Sequence, residues 1–390
     1  MMFKEKKIAI IYDWLDKWGG VERLLLVLHE RFPNAVFFTS YTDLRSAPWA
    51  KTLSIHNSFI QRLPTFIKKS RLLSVILYPF AFESFDLSPY DLVISVTSSF
   101  AKSVVTKPDT LHMCILLTPT RYFWLYPETY INSMTRKLSR FIFSYLKKWD
   151  KIVSRRPDVI LSISKEIKKR CLEFYGIRSE VMYPPFDMEH WGKIKKMKIG
   201  NNKQKHPFGG KKYFLVVSRL EPYKKIDVVI DLFVECDRRH VVIVGKGSLL
   251  EIFKKRAKTK NIIFMQDIPD HDLAFLYQNA EALIMPQNED FGYTALEAQY
   301  FDCPVIAYKA GGAQETVKDR KTGIFFTAQT SSSLDRALER FEKISYNLKH
   351  DMKKIGHSHL ERFSKEKFLG AIEKNIINLV QSKDISMHVL

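Results

Sequence analysis

Two glutamates, Glu289 and Glu297, bracket the run Pro286-Gln287-Asn288-Glu289-Asp290-Phe291-Gly292-Tyr293-Thr294-Ala295-Leu296-Glu297-Ala298. The run follows a short apolar stretch, Ala282 to Met285, that reads as a strand, and it opens a helix near Tyr293. That helix must stop before Pro304, because proline has no backbone N–H and keeps its predecessor out of the helical region. Glu289 then sits just ahead of a helix N-terminus and Glu297 about one turn inside it. The open N–H groups and positive dipole end of a helix start suit a phosphate. A carboxylate ahead of such a site can meet sugar hydroxyls, and one past it can accept hydrogen bonds from a ribose. Together they fit a sugar nucleotide. The same pair also fits a solvated loop with an ordinary acid in the first turns of a helix, which the dipole favours without any ligand.

A second cluster follows the apolar run ending at Val217: Ser218-Arg219-Leu220-Glu221-Pro222-Tyr223-Lys224-Lys225-Ile226-Asp227. Arg219 and Lys224 flank a loop at a strand's carboxyl end, where ligands bind in open α/β sheets. A guanidinium and an ammonium there can neutralise a diphosphate leaving group, a role that requires no metal. Two solvated surface charges give the same pattern, and Lys225 serves as well as Lys224. A third feature is Gly19-Gly20, between the apolar run Ile8 to Tyr12 and a helix with Val21, Leu24, Leu25, Leu28 and Phe32 on one face. The paired glycines permit close backbone approach to a phosphate, or simply a tight turn.

Alternating strands and helices must hold these groups. Ile8 to Tyr12, Ala35 to Thr39, Leu92 to Thr97, Met113 to Leu117, Val159 to Ile163 and Val181 to Tyr183 read as strands, and Ser164-Lys165 opens a helix to about Tyr175. Tyr183-Pro184-Pro185 closes this half, since consecutive prolines leave neither regular element intact. Residues 189–212, lysine-rich and holding Gly200, Pro207, Gly209 and Gly210, are expected to form a connector between domains of residues 1–188 and 213–365. The second domain reads as strands Tyr213 to Val217, Val241 to Val244, Ile262 to Met265 and Val305 to Tyr308. Helices from about Ile226 and around Leu273 to Tyr277 separate them, and a Gly311-Gly312 turn leads into another helix. The expected fold class is α/β: two Rossmann-like domains with parallel sheets, facing a central cleft.

A chain of 390 residues suits two such domains, and 46% hydrophobic with 27% charged residues marks it as globular. Four scattered cysteines, Cys114, Cys171, Cys236 and Cys303, indicate neither a zinc site nor a disulfide framework, and read as reduced thiols in the cytoplasm. The apolar part of the N-terminus is too short for a secretory signal. The longest nearly apolar run, Leu72 to Phe82, falls well short of the roughly 20 residues of a spanning helix. The charge of +20, from 62 Lys+Arg against 42 Asp+Glu, calls for anionic partners. In Ser58 to Phe85, and again in residues 132–156, basic residues alternate with large apolar ones. Both stretches suit a segment lying on an anionic bilayer, and equally a buried helix pair with solvated lysines. Nucleic acid is not indicated: no reader motif is present and the charge is spread over many segments.

The string from Glu289 through Cys303-Pro304-Val305-Ile306-Ala307-Tyr308 to Gly311-Gly312-Ala313-Gln314-Glu315-Thr316-Val317 resembles the Glu-x7-Glu region of the family-4 retaining glycosyltransferases, which have the GT-B fold. Further similar strings are Tyr12-Asp13-Trp14-Leu15 with Gly19-Gly20-Val21-Glu22, Tyr90-Asp91-Leu92-Val93-Ile94-Ser95, Ala101-Lys102, Thr118-Pro119-Thr120-Arg121-Tyr122 and Tyr183-Pro184-Pro185. They look closest to bacterial mannosyltransferases of surface-polysaccharide assembly. The resemblance implies Arg219 and Lys224 on the donor diphosphate, Glu289 on the sugar, Glu297 on the ribose, and backbone N–H groups of Phe291, Gly292, Tyr293, Thr294 and Ala295 on sugar and phosphate. Gly19 and Gly20 join them as donor-binding. It also implies a front-face retaining mechanism with no cofactor or metal, the donor being GDP-mannose or a UDP-hexose. The implied acceptor is a lipid-linked or membrane-proximal saccharide at the inner face of the cytoplasmic membrane. The last helix, about 366–385, would pack back on the first domain.

Two positions depart from the family. A histidine usually stands two residues before the proline of Thr118-Pro119, and here that position is Leu117, which can neither donate nor accept a hydrogen bond. His112 lies on the same expected strand but points to its other face. Where a glycine is usual near the nucleotide base, this chain has Gln266-Asp267. A weakly catalytic sugar-nucleotide-binding relative is the alternative that Leu117 raises.

Overall fold

Strand β1, Ile8–Tyr12, is apolar throughout and buried at every residue, the mark of a strand covered by helices on both faces. It is one of seven parallel strands in the first of two compact units, formed by Met1–Pro185 with Lys365–Leu390. The computed structural model describes residues 6–125, 127, 136–197 and 206–388. The others in this sheet are β2 (Val36–Thr39), β3 (Ile55–Asn57), β4 (Leu92–Thr97), β5 (Leu111–Leu116), β6 (Val159–Ser162) and β7 (Glu180–Val181), in the order β3-β2-β1-β4-β5-β6-β7. The order reverses between β1 and β4. The last helix, Lys365–His388, belongs to this unit: Glu373 accepts from Arg31 at 2.7 Å, and the Lys383 ammonium donates to the Pro108 and Thr110 carbonyls at 2.8 Å each.

The second unit, Phe186–Ser364, holds six parallel strands. They are β8 (Phe214–Val217), β9 (Val241–Val244), β10 (Ile262–Met265), β11 (Leu283–Met285), β12 (Val305–Tyr308) and β13 (Gly323–Phe326), in the order β10-β9-β8-β11-β12-β13. Here the reversal lies between β8 and β11. The Ile226–Glu235 and Ser331–Ile355 helices bury Val229, Ile230, Phe233, Leu338 and Phe341 against this sheet. Two Rossmann-like parallel sheets are thus present, as the alternation of elements predicts.

Several elements differ from the expectation. Ile55–Asn57 is three residues long, two of them polar, too short to show a strand period, yet it pairs with β2 at the sheet edge. β13, absent from the expected strands, begins at Gly323. A side chain there would lie 2.1 Å from the Val305 carbonyl, so the glycine marks close approach to β12. Within the expected connector 189–212, Met188–Lys196 is a helix of the second unit. Asp187 caps it by accepting from the His190 N–H at 2.8 Å, and Trp191 is fully buried against Phe301. Residues 198–205 lie outside the described residues, as do 132–135.

The two basic, aromatic stretches each divide between the core and the surface. In the first, Ile60, Val75, Tyr78, Ala81 and Phe82 enter the core, while Phe59, Phe66, Leu72, Leu73, Ile76 and Phe80 stay exposed. On the Arg136–Val153 helix Phe143 and Leu146 are buried, whereas Phe141, Tyr145 and Ile152 face solvent among the exposed Arg140, Lys147, Lys148 and Lys151. Among the described residues no helix is long and apolar enough to cross a membrane.

Candidate functional site

In an open parallel sheet the loops leaving the two strands at the reversal of order diverge to opposite faces, and the crevice between them takes a ligand. In the second unit those loops follow β8 and β11, and they carry Arg219, Lys224 and Glu289. The short 3₁₀ turn Pro222–Lys224 ends with Lys225 in the left-handed region (φ 53°). This reversal of the chain buries Lys224 and leaves Lys225 half-buried beside it. The Lys224 ammonium lies 2.5 Å from a Glu289 oxygen, which also accepts from the Gln287 side chain at 2.7 Å. Lys224, rather than Lys225, therefore joins the carboxylate. The Arg219 guanidinium is exposed and lies 5.8 Å from the centre of the Tyr223 ring, which the Lys224 ammonium approaches at 5.6 Å.

Each of these loops is held by a pair of glycines. A Cβ on Gly245 would lie 1.8 Å from the Ser218 carbonyl oxygen, and one on Gly247 would lie 2.3 Å from that of Leu220. The backbones touch there: the Leu220 N–H donates to the Lys246 carbonyl at 2.7 Å. On the other side Gly311 (φ 62°) would place a Cβ 2.1 Å from the Asn288 side-chain oxygen and 2.2 Å from the Glu289 carbonyl. The Gly312 N–H donates to that carbonyl at 2.7 Å. Sequence reading took Gly311-Gly312 as a turn; the crowding shows that it also fixes the Glu289 loop.

The Tyr293–Tyr300 helix starts where the sequence places it, capped by Gly292 at φ 98°. Phe291 is buried against Tyr293 and Phe363, and the Thr294 hydroxyl faces the Met285 sulfur at 3.9 Å. Of the expected backbone donors, the Ala295 N–H is engaged within the turn, donating to the Gly292 carbonyl at 3.1 Å. The Glu297 carboxylate is 8% exposed and accepts from the Tyr277 hydroxyl at 3.0 Å.

Beyond the carboxyl end of β10, Met265, Gln266, Ile268, Asp272, Phe275 and their neighbours line a cavity of about 390 Å³. Asp267 itself takes the left-handed conformation (φ 52°) and pairs with Lys246. This explains why a glycine is natural at such a position.

The first unit treats its own reversal, between β1 and β4, differently. The buried Asp13 carboxylate accepts five hydrogen bonds: from the Thr97 hydroxyl (3.0 Å), the Ser98 N–H (2.8 Å) and hydroxyl (3.2 Å), and the N–H groups of Phe100 and Ala101 (2.8 Å each). Nearby, Lys102 and Asp150 form a fully buried ion pair at 2.6 Å. Asp150 also accepts from Thr120, Trp124 and Tyr175 at 3.0, 2.7 and 2.9 Å. Sequence reading quoted Asp13, Ala101-Lys102 and Thr120 only as parts of similar strings; nothing in the spacing reveals that they meet.

Gly19 is extended (φ 177°) and Gly20 opens the first helix, Gly20–Arg31. A Cβ on Gly19 would lie 3.0 Å from a Glu22 oxygen. Burial pushes the Glu22 carboxyl up from its ordinary pKa, and the Tyr12 hydroxyl donates to it at 3.2 Å. Gly19 and Gly20 lie in the first unit, and Arg219, Lys224 and Glu289 in the second. Leu117 is buried at the end of β5, its N–H donating to the Thr97 carbonyl at 2.8 Å. His112 is fully buried with Nε2 2.9 Å from the Ser95 hydroxyl, and burial pushes its pKa down to about 3. It is a neutral core residue and does not replace the missing histidine.

Residues 198–359 match the family described as glycosyl transferases group 1. The chain is similar to human alpha-1,3/1,6-mannosyltransferase ALG2, with 25% identity over 228 residues, 52% of this chain and 53% of that one. It is also similar to the GDP-mannose-dependent alpha-(1-6)-phosphatidylinositol monomannoside mannosyltransferase of Mycolicibacterium smegmatis, with 28% identity over 189 residues, 44% and 49% of the two chains. The chain thus spans about half the length of these curated relatives. Among solved structures, Anabaena Alr3699/HepE in complex with UDP and glucose aligns with a TM-score of 0.68 at 17% identity, covering 95% of this chain and all of that one. At that identity the likeness is one of fold. The residues at the β8/β11 reversal fall inside the segment that is similar to glycosyl transferases group 1, and the pair of parallel sheets around it is GT-B-like in fold.

Proposed function

We propose that this chain transfers a hexose, in the first instance mannose from GDP-mannose, to a hydroxyl of a lipid-linked or membrane-proximal glycan with retention of configuration. A UDP-hexose is the alternative donor. The observation that carries the proposal is the Lys224–Glu289 pair at 2.5 Å, with Arg219 on the same loop as Lys224, at the strand-order reversal of the second unit. An ammonium has three donors, so Lys224 can hold Glu289 and a diphosphate oxygen together. Glu289 then accepts from the sugar hydroxyls, and Glu297, held by Tyr277, faces the ribose. In the reaction the bond from the anomeric carbon to the diphosphate breaks and one to the acceptor oxygen forms. The acceptor proton leaves with the nucleoside diphosphate, whose added charge Arg219 and Lys224 offset. These two side chains supply that compensation without a metal ion.

The cavity beyond β10 supports a seat for the base, with Met265, Ile268 and Phe275 as its apolar walls. The exposed apolar residues and lysines of the first unit support peripheral docking on the anionic inner face of the cytoplasmic membrane. Binding to anionic vesicles should weaken with salt. The buried Leu117 favours a second reading, a sugar-nucleotide-binding relative of low activity.

Thermal shift across GDP, UDP and their sugar conjugates, followed by transfer assays on the wild type and Glu289→Ala, tests the proposal. A ligand-induced rise in Tm and a large loss of transfer in the variant are expected. Stabilisation with equal background rates in both proteins supports the second reading, and the absence of stabilisation by any nucleotide overturns both.

A further inference from the structure

The loop leaving β1 displays an indole where a soluble surface gains nothing from one. Trp18 is 47% exposed, although Trp14, four residues earlier in the same loop, is buried. Trp18 does not dangle. Its ring meets that of Trp49 edge-on, with centroids 5.9 Å apart. Trp49 is fixed in turn by donating its indole N–H to the Lys17 carbonyl at 2.8 Å. The backbone beneath is held as firmly. The Leu15 N–H donates to the Tyr41 carbonyl at 3.1 Å, the Asp43 N–H donates to the Leu15 carbonyl at 2.8 Å, and Asp13, the loop's first residue, is anchored by the Phe100 N–H at 2.8 Å. The turn bearing Trp49, Pro48–Thr52, rests on the fully buried Ala47 and Ala50. One exposed ring and one half-buried ring thus share a rigid base beyond the carboxyl end of β1, next to the strand-order reversal of the first unit.

The surroundings narrow the occupant. Arg23 projects from the helix that follows, its guanidinium 5.9 Å from the Trp18 ring centre, and the exposed Lys17 adjoins it. An exposed indole with a guanidinium over one face and an ammonium beside it matches a pyranose ring, which has one face of C–H bonds and a rim of hydroxyls. The partly positive C–H groups lie on the electron-rich indole face, and the rim meets guanidinium and ammonium.

We propose that Trp18 and Trp49 form a platform for a pyranose ring of the acceptor glycan. The proposal rests on the glycosyl-transfer reading above and names the part of the first unit that recognises the acceptor. Saturation-transfer NMR on the full chain with methyl α-D-mannopyranoside and methyl α-D-glucopyranoside tests it, alongside thermal shift with GDP and UDP. Saturation of the ring C–H protons should fall about fivefold or more in Trp18→Ala and be partly kept in Trp18→Phe, which retains a π face. The nucleotide-induced rise in Tm should be the same in all three proteins. Equal saturation in wild type and Trp18→Ala overturns the platform. So does an absence of saturation in a wild type that nucleotides still stabilise. Trp18-dependent saturation without any nucleotide shift leaves the platform standing and removes the donor reading. If Trp18→Ala instead loses binding to anionic vesicles while no sugar is saturated, the rings serve a bilayer and the proposal falls.

Discussion

The two sheets reverse their strand order in the same way, yet the polar groups at the two reversals differ in how far they are sealed from solvent. Between β1 and β4 the crevice is filled from within: Asp13 accepts five hydrogen bonds, and Lys102 is sealed against Asp150 with no exposure. Between β8 and β11 the charges stay near the surface, with Arg219 exposed and the Lys224–Glu289 pair 9% and 17% exposed. A carboxylate saturated by N–H and O–H donors is part of the frame. The same fold position thus braces the chain in one unit and, in the reading proposed above, receives the donor in the other.

The strongest way to break this comparison is through stability. Asp13→Ala leaves five donors without their acceptor, two of them N–H groups of buried residues, and should cost about 4 kcal/mol or more. Lys102→Ala should cost about 3–5 kcal/mol by stranding Asp150. Lys224→Ala should cost about 1 kcal/mol, because Glu289 keeps Gln287 and reaches water. Urea unfolding of the three variants measures this directly. A Lys224→Ala loss as large as that of Lys102→Ala would make the second reversal structural too.

Activity should rank them the other way. Arg219→Met and Lys224→Met are each expected to lower the transfer rate by about 10²–10³, with a ligand-free Tm close to that of the wild type. Steady-state kinetics with saturating donor tests this, and full turnover in the Lys224→Met variant would leave Glu289 without its assigned partner.

Acid sharpens the contrast further. His112 is buried neutral in the first unit, its pKa pushed down to about 3 chiefly by burial, with Arg156 and Lys383 adding to the effect. The unfolded chain takes up that proton near pH 6.5 while the folded chain does not. Its contribution is therefore intact above pH 6.5 and lost as pH falls toward 3. Between pH 6.5 and 4.5 the loss should be about 2–3 kcal/mol. His112→Asn should flatten the pH dependence of urea midpoints over that range.

Much of this was legible in the chain because strands buried on both faces are written as short, unbroken apolar runs. β1, β4, β9, β10 and β12 fall where those runs lie. Arg219, Lys224 and Glu289 were legible for a related reason: each follows such a run, where a parallel sheet exposes its loops. What escaped the sequence is contact across distance. Gly247 against Leu220, Gly311 against Glu289, and Asp13 against residues 97–101 are tertiary meetings with no periodic signature. The ambiguity between Lys224 and Lys225 needed a dihedral angle, φ 53° at Lys225, that no composition reveals. The Met188–Lys196 helix was hidden because its nine residues carry three lysines and few apolar anchors besides Trp191 and Ile194.

The smallest effect concerns Asp267, beside the cavity proposed for the base. Its left-handed backbone costs an L-residue about 1 kcal/mol, which glycine would not incur. Against this, glycine raises the entropy of the unfolded chain by about 0.4–1 kcal/mol. The ion pair with Lys246, 61% and 69% exposed at its two ends, contributes little. The three terms nearly cancel, so Asp267→Gly should shift stability by no more than about 0.5 kcal/mol. Its effect on nucleotide binding is then readable without a folding correction. Removing a carboxylate next to Lys246 frees a cation at the carboxyl end of β9, and GDP or UDP should bind somewhat more tightly in a thermal-shift titration. Unchanged or weaker binding would mean that this loop does not face the nucleotide, and would confine the donor site to the β8 and β11 loops.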